Sequence, residues 1–528
     1  MNTIKINNRA IMLGAVTIGG LLVALWAGKA VALGNTRPLL MGLAASIALA
    51  MGLALGKNAW ILIPVTFFAT GSIGALPLPF NYQELGIMAA FTLFVLHLIL
   101  TKETIRITHS AVDTLVWVNV AYLISVFFRN PVGVAALQTE LVGGRPYFSL
   151  LLMVFCYIVL SHVRVDEKRA RQMAWILAGA MIAPQFLLVL TEFVPSTSRV
   201  IYPFYSGVNI EDFNLGLAPA GGAQDTRITS FLGLARPMVL ALCALYPPIT
   251  LVNPLRFQRF AAFLTGLVLG ALSGFRNLLV AFAFYLAIGS MVRRRYLDVF
   301  VLVVLGTAAV TLVGSAHLVG VHVPFAVQRA LSFIPLGWDE NAVRSAKGTE
   351  DWRHEMWQDA WTRPGHMRSK LLGDGYGFTQ KEMMIMSDEA LGIGGFKNTA
   401  SYEGHLIRGS YHNGPLSTVK RVGYVGGVCL LALMIASFTQ SLKLVKKTRN
   451  TPFFTWTLFI AIPILFLPFE FFFLFGDYIQ AMTLFLFSAG MFKMIENSLA
   501  KWQLMRAATG QSFGTKEQQP TPLAAPAA

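Results

Sequence analysis

Ser410-Tyr411-His412-Asn413-Gly414-Pro415-Leu416 marks the point where a long polar segment gives way to an apolar run beginning near Leu416. Asn-Gly-Pro is turn chemistry, and the run behind it is apolar enough to enter a bilayer. The stretch therefore reads as a membrane boundary. A titratable ring next to such a turn is aimed along the membrane surface, although a lone interfacial His also occurs as a solvated neighbour of lipid headgroups.

Working outward, the whole chain repeats this alternation. Its 528 residues are 55% hydrophobic and 13% charged, with 39 Phe and a mean hydropathy of +0.60. Recurring apolar runs long enough to cross a hydrocarbon core of about 30 Å exclude a soluble globular protein. Runs begin near Ile11, Pro38, Ala59, Glu84, Ala111, Tyr147, Met173 and Ile228, and again near Arg259, Asn277, Leu297, Thr418, Phe453 and Asp477. The expected fold is an all-α polytopic membrane protein of about fourteen transmembrane helices, each of roughly 17–25 residues, with one long outer loop containing short helices. The first run is expected to be retained as a helix, although Ala30-Val31-Ala32 faintly resembles a signal-peptidase site.

The formal net charge of +16 is accounted for by topology. If the helices alternate from a cytoplasmic N-terminus, the inner loops hold clusters such as Arg164/Lys168/Arg169/Arg171, Arg293/Arg294/Arg295 and Lys443/Lys446/Lys447/Arg449. The outer connections carry fewer cations, which puts both termini on the cytoplasmic side. No nucleic-acid partner is implied. Residues 1–321 read as helices 1–11 with an outer loop near 195–227, 322–415 as a long periplasmic loop, 416–500 as helices 12–14, and 501–528 as a disordered cytoplasmic tail. Cys156, Cys243 and Cys429 all lie in apolar runs, so neither a disulfide framework nor a Cys metal site is expected.

Long loops concentrate function. In the first, Tyr202 and Tyr205 offer rings for a sugar. In the second, Asp351 to Trp361 reads as a helix whose Arg353, Trp357 and Trp361 stack on one face, better suited to an interfacial anchor than to substrate contact. The glycines of Gly373-Asp374-Gly375-Tyr376-Gly377 and Gly392-Ile393-Gly394-Gly395 read as turns, because no Walker-type Lys-Ser/Thr follows them.

Three groups converge on the outer face: Arg227 opens a helix, Arg276 lies in the turn Ser273-Gly274-Phe275-Arg276, and His412 closes the large loop. Guanidinium groups bind phosphate oxygens bidentately and His accepts a proton near neutral pH, which suits a lipid-linked phosphate. Arg236 falls about nine residues after Arg227, some two and a half turns deeper, where an arginine is expensive unless it faces the bundle interior. Arg353, Arg408 and Asn413 are further candidates beside the same stretch.

Several short segments together resemble the O-antigen ligase and polymerase superfamily. Thr226-Arg227-Ile228-Thr229-Ser230-Phe231 is similar to its Arg-led helix start, and Leu272-Ser273-Gly274-Phe275-Arg276 to its Ser-x-x-Arg turn. Arg353 to Trp361 with Leu371-Leu372-Gly373-Asp374-Gly375-Tyr376-Gly377 resembles its Arg-x-x-x-Trp helix and Leu-x-Gly-x-Gly segment. His412-Asn413 with Leu416, then Val422-Gly423-Tyr424-Val425-Gly426-Gly427, resembles its His-Asn-x-x-Leu motif and the Gly-x-x-Gly helix behind it. Two departures stand out: Ala235-Arg236-Pro237 where many members have Pro-Asn, and Gly414-Pro415 after the His-Asn pair.

The resemblance implies a membrane glycosyltransferase, ligase or polymerase, that uses a polyprenyl-pyrophosphate-linked glycan on the periplasmic face. The acceptor is another glycan, a lipid or a protein, and the product a surface polysaccharide such as lipopolysaccharide or exopolysaccharide. It assigns His412 as catalytic base and Arg227 and Arg276 as pyrophosphate ligands, with membrane lipids as surroundings, no cofactor and no metal. The competing expectation from the residues is a transporter or flippase of lipid-linked sugars, favoured by Arg236 and Glu192. A scaffold with the large loop as its binding module is a third.

Overall fold

The computed structural model describes residues 42, 55–74, 80–101, 110–133, 141–207, 228–379, 382, 384 and 399–508. Among them the chain is almost entirely helical. The principal helices are α1 (Tyr82–Thr101), α2 (Ala111–Arg129), α3 (Arg145–His162), α4 (Glu167–Phe193), α5 (Thr229–Leu245), α6 (Phe257–Leu272) and α7 (Arg276–Met291). They continue as α8 (Tyr296–Leu318), α9 (Phe325–Leu331), α10 (Glu340–Thr362), α11 (Thr399–Arg408), α12 (Gly414–Thr448), α13 (Phe454–Phe469) and α14 (Tyr478–Ala508).

Among the described residues eight helices are long and apolar enough to cross a membrane, namely α1 to α4, α8, α12, α13 with its extension to Leu474, and α14. The count of fourteen spans is not carried by the described residues. Helices α5, α6 and α7 stand where runs were expected but have only 17, 16 and 16 residues, or roughly 24–26 Å at 1.5 Å per residue. The run near Ala59 forms a six-residue 3-10 turn and a five-residue helix with Pro64 in its middle. The runs near Ile11 and Pro38, and with them the N-terminal side, lie outside the described residues. A second correction concerns the tail: α14 continues to Ala508, so residues 501–508 are helical rather than disordered.

Helix α14 is the hub, with 78% of its most apolar stretch buried against 6% of that of α8. Gly490 lets α14 lie against α3, because a Cβ there would stand 2.9 Å from the Leu160 Cβ. Helices α14 and α3, together with α2, carry a buried polar knot. Lys493 of α14 pairs with Asp113 of α2, whose other oxygen accepts from Tyr157 Oη of α3 at 2.6 Å. Asp113 also closes a reciprocal cap with Ser110, so one carboxylate serves both the helix end and the bundle.

The segment around Gly373 is tied to the bundle at a break in α12. Gly423 has φ 69° and ψ −175°, which interrupts the helical ladder. The freed carbonyls of Lys420 and Arg421 accept from Asp374 N and Gly375 N at 2.8 and 3.0 Å, while Tyr424 N and Val425 N donate to Lys370 O and Leu371 O. Arg421 locks the joint by donating to Gly375 O at 3.0 Å and to Arg408 O, with its guanidinium 4.5 Å from the Tyr376 ring centroid. A short antiparallel pair, β1 (Leu141–Val142) with β2 (Phe378–Thr379), holds the far end of this segment.

An alanine Cβ at position 423 would stand 2.3 Å from Leu371 O, on a backbone that already disfavours side chains. Gly423→Ala is therefore expected to lose at least about 1–2 kcal/mol from the left-handed backbone alone, and more from the overlap. Thermal unfolding in detergent reads this directly. An unchanged transition would mean that the joint is not built as described.

Candidate functional site

A small core separate from the bundle holds the site in place. Met356 and Ala360 of α10, Leu406 of α11 and Tyr411 are fully buried, with Trp352, Trp357, Tyr402 and Leu416 packed around them. Trp357 Nε1 donates to Tyr411 O at 2.7 Å, so this indole fixes the backbone one residue before His412. That corrects the reading of the Arg353/Trp357/Trp361 face as an interfacial anchor. Trp357 points inward, Arg353 is half-buried, and only Trp361 is 40% exposed, with Lys370 4.0 Å from its ring.

His412 itself has φ 52°, one of two non-glycine residues with positive φ among those described. This backbone costs a residue with a Cβ roughly 1–3 kcal/mol, and such strain gathers at functional sites. The next residue explains how it is held: Asn413 returns to extended geometry and caps α12, its side-chain oxygen accepting from Leu416 N at 3.0 Å. Asn413 is thus a structural cap that aims the neighbouring imidazole. The imidazole lies among three rings, with centroids at 4.7 Å to Phe475, 5.2 Å to His405 and 6.3 Å to Trp352. His405 is oriented by its Nδ1, 3.3 Å from Ser410 O, which as a carbonyl can only accept.

This environment fixes the protonation state of His412. Burial, then the neighbouring His405 and the Arg353 cation, push its pKa down to about 4. The ring is therefore neutral near pH 7 and offers a lone pair. Its Nδ1 is buried and has no hydrogen-bond partner among the described residues. A buried polar atom left unsatisfied is uncommon, and this one leaves the ring nitrogen open to a hydrogen bond from a ligand.

Two arginines from neighbouring helices bind α10, the helix that carries Arg353 and Trp357. Arg276, at the first turn of α7, pairs with Glu350 of α10 at 2.8 Å and donates to Ala346 O at 3.2 Å. Arg329 of α9, only 6% exposed, donates to Thr349 of α10 at 3.1 Å. One face of α10, at residues 346, 349, 350 and 353, thus gathers Arg276, Arg329 and Arg353 within about two turns. Glu350 and Trp357 are two turns apart, about 10 Å along the axis. Arg236 pairs with Glu470 at 2.7 Å and donates to Tyr285 Oη at 3.0 Å, so it faces the bundle rather than reaching for headgroups. Glu470 opens a π-turn (Glu470–Leu474) that ends at Phe475, the ring against His412. Pro468 precedes that turn and removes one N–H from the ladder, a usual cause of such irregularities.

Arg227 lies outside the described residues. The side chain of Arg408 is exposed, and its carbonyl serves the Arg421 clamp. Tyr205, proposed from sequence as a ring for sugars, is 7% exposed and stacks on Tyr82. Sequence reasoning missed Trp352, His405, Arg329, Glu350, Glu470 and Phe475. For Glu470 a signal existed: a lone carboxylate inside Pro468-Phe469-Glu470-Phe471-Phe472-Phe473 is expensive in a membrane and calls for a partner. Among the described residues no group of three or more His, Cys, Asp or Glu side chains is placed to hold a metal ion. No family model matches the chain, and no curated protein matches it.

Proposed function

We propose that this chain is a membrane glycosyltransferase that transfers or polymerises a polyprenyl-pyrophosphate-linked glycan on the periplasmic face of a bacterial inner membrane. The observation that carries the reading is the strained, capped and neutral His412 beside a ladder of arginines at one end of an all-helical bundle. The resemblance of the Arg276, Arg353, Gly373/Gly375 and His412-Asn413 segments to the O-antigen ligase and polymerase superfamily supports it. On this reading the basic turn around Arg293 and the basic C-terminal end of α12 around Lys443 face the cytoplasm.

In the proposed reaction an acceptor hydroxyl attacks the anomeric carbon. The bond from that carbon to the pyrophosphate oxygen breaks, its electron pair leaves with the polyprenyl pyrophosphate, and the hydroxyl proton passes to His412. Guanidinium groups stabilise the charge developing on the leaving group. Arg353 is the cation whose field reaches His412. Arg276 contributes if the pyrophosphate takes the place of Glu350, one anion exchanging for another, and Arg227 is retained from the sequence as a second ligand. A pyrophosphate bound there would also offset the Arg353 charge and raise the basicity of His412.

The proton balance gives a pH prediction. An unfolded imidazole titrates near 6.5, whereas folded His412 stays neutral down to about pH 4. The unfolded chain binds the extra proton between those values, so this residue lowers stability as pH falls through that window. In the free enzyme kcat/KM is expected to show no limb at about 6.5. A limb centred there that disappears in His412→Gln would contradict the assigned environment.

In cells, deletion of the gene followed by complementation separates the readings. Wild type is expected to restore the surface-glycan profile, while well-expressed His412→Ala and Arg276→Ala leave unattached or unextended lipid-linked glycan; the stalled species tells ligase from polymerase. The second reading, a transporter or flippase of lipid-linked sugars, is favoured by the Arg236–Glu470 pair between apolar helices. It predicts lipid-linked glycan retained on the cytoplasmic side, and full restoration by His412→Ala would bring it forward.

A further inference from the structure

At the opposite end of the bundle from His412, α7, α12 and α13 leave a cavity of about 410 Å³ whose lining includes Arg294, Lys446 and Arg449. The rest of its lining is mainly apolar and includes Ile288, Phe438 and Leu442, and no Asp or Glu lines it. Three cations over a hydrocarbon-lined slot match the two halves of one molecule class, an anionic head on apolar chains. Two further observations bear on the cations. Arg449 donates to Val292 O at 2.8 Å, which fixes its guanidinium at the cavity, while its buried Nε has no hydrogen-bond partner among the described residues. Burial and the facing Arg294 charge hold the Arg449 pKa below its usual value, so these cations crowd one another and gain from an anion between them.

Arg294 is the other non-glycine residue with positive φ, at 59°. It ends α7 in a Schellman-type turn, with Arg295 N donating to Ser290 O at 3.0 Å, at the position where glycine is usual. A glycine would relieve the backbone there. Stability alone does not account for a cation at this position, and it points at the cavity.

We propose that this cavity binds an anionic phospholipid of the leaflet opposite His412, its phosphate held by Arg294, Lys446 and Arg449 and its acyl chains laid against Ile288, Phe438 and Leu442. The site is independent of the glycosyltransferase reading. Each basic side chain near an anionic headgroup contributes roughly a fivefold factor in affinity, so losing all three is expected to weaken binding about a hundredfold.

The test titrates fluorescent phosphatidylglycerol onto the full-length protein in neutral detergent, with phosphatidylcholine as the zwitterionic comparison. Saturable binding of phosphatidylglycerol is expected, weakened by Lys446→Gln with Arg449→Gln. The same charge removed outside the cavity, in Lys443→Gln with Lys447→Gln on the same helix, is expected to leave it unchanged. Arg294→Gly guards against misfolding: its thermal transition in lipid-free detergent is expected to hold or rise while lipid affinity drops about fivefold. Equal losses in both double variants would reduce the effect to general surface attraction and overturn the site. Equal binding of phosphatidylcholine, or tighter capture of polyprenyl phosphate in the same cavity, would overturn it too.

Discussion

His412→Ala is expected to lower glycan transfer by about 10²- to 10⁴-fold, the usual contribution of a positioned general base, while the protein accumulates and unfolds like wild type. The two halves of this expectation separate because of how the residue is held. The backbone around it is fixed by the Asn413 cap and by Trp357 donating to Tyr411 O, neither of which uses the imidazole. Alanine at φ 52° keeps the strain it inherits, so the fold has no reason to respond strongly. A neighbouring ring gives the control: His405→Ala removes a packing partner 5.2 Å away and is expected to reduce rate less, with a shifted pH profile. If His412→Ala transferred at the wild-type rate, the base would have to be sought elsewhere.

The largest effect on stability is expected at the other polar centre. Lys493→Met leaves the Asp113 carboxylate, 4% exposed and inside the bundle, without its cation. Removing one member of a buried pair typically costs 3–5 kcal/mol, about the figure expected here. Asp113→Asn with Lys493→Met is expected to recover most of that loss, because the asparagine side chain can still serve the Ser110 cap and Tyr157 while no charge remains buried. Thermal unfolding in detergent and the level of inserted protein both read the difference. A double variant no better than the single one would show that packing, rather than an orphaned charge, dominates this knot.

Much of the bundle was legible because membrane helices are written locally. The runs expected from Glu84, Ala111, Tyr147, Leu297 and Asp477 begin within about two residues of α1, α2, α3, α8 and α14, since desolvation in hydrocarbon acts on each residue where it stands. His412 was legible for a similar reason, as turn chemistry beside an apolar run. Its partners were not. Arg236 and Glu470 are 234 positions apart, and Asp113 and Lys493 are 380 apart, so their pairing is a product of helix packing that no local pattern encodes. By sequence Gly423 belongs to a Gly-x-x-Gly helix, but its role is to break that helix and receive the Gly373-Asp374-Gly375 segment. The indole of Trp357 was misplaced because a four-residue spacing fixes a shared face without saying what covers it.

The most direct measurement of the central claim uses purified full-length protein reconstituted in vesicles with a short glycan on polyprenyl pyrophosphate, in the presence of a chelator. Free polyprenyl pyrophosphate and lengthened or transferred glycan are followed together. Stoichiometric release of the two products by wild type, metal-independent and reduced at least a hundredfold in His412→Ala, is the predicted result. Donor that remains intact while crossing the bilayer, or release that His412→Ala leaves untouched, would contradict the account.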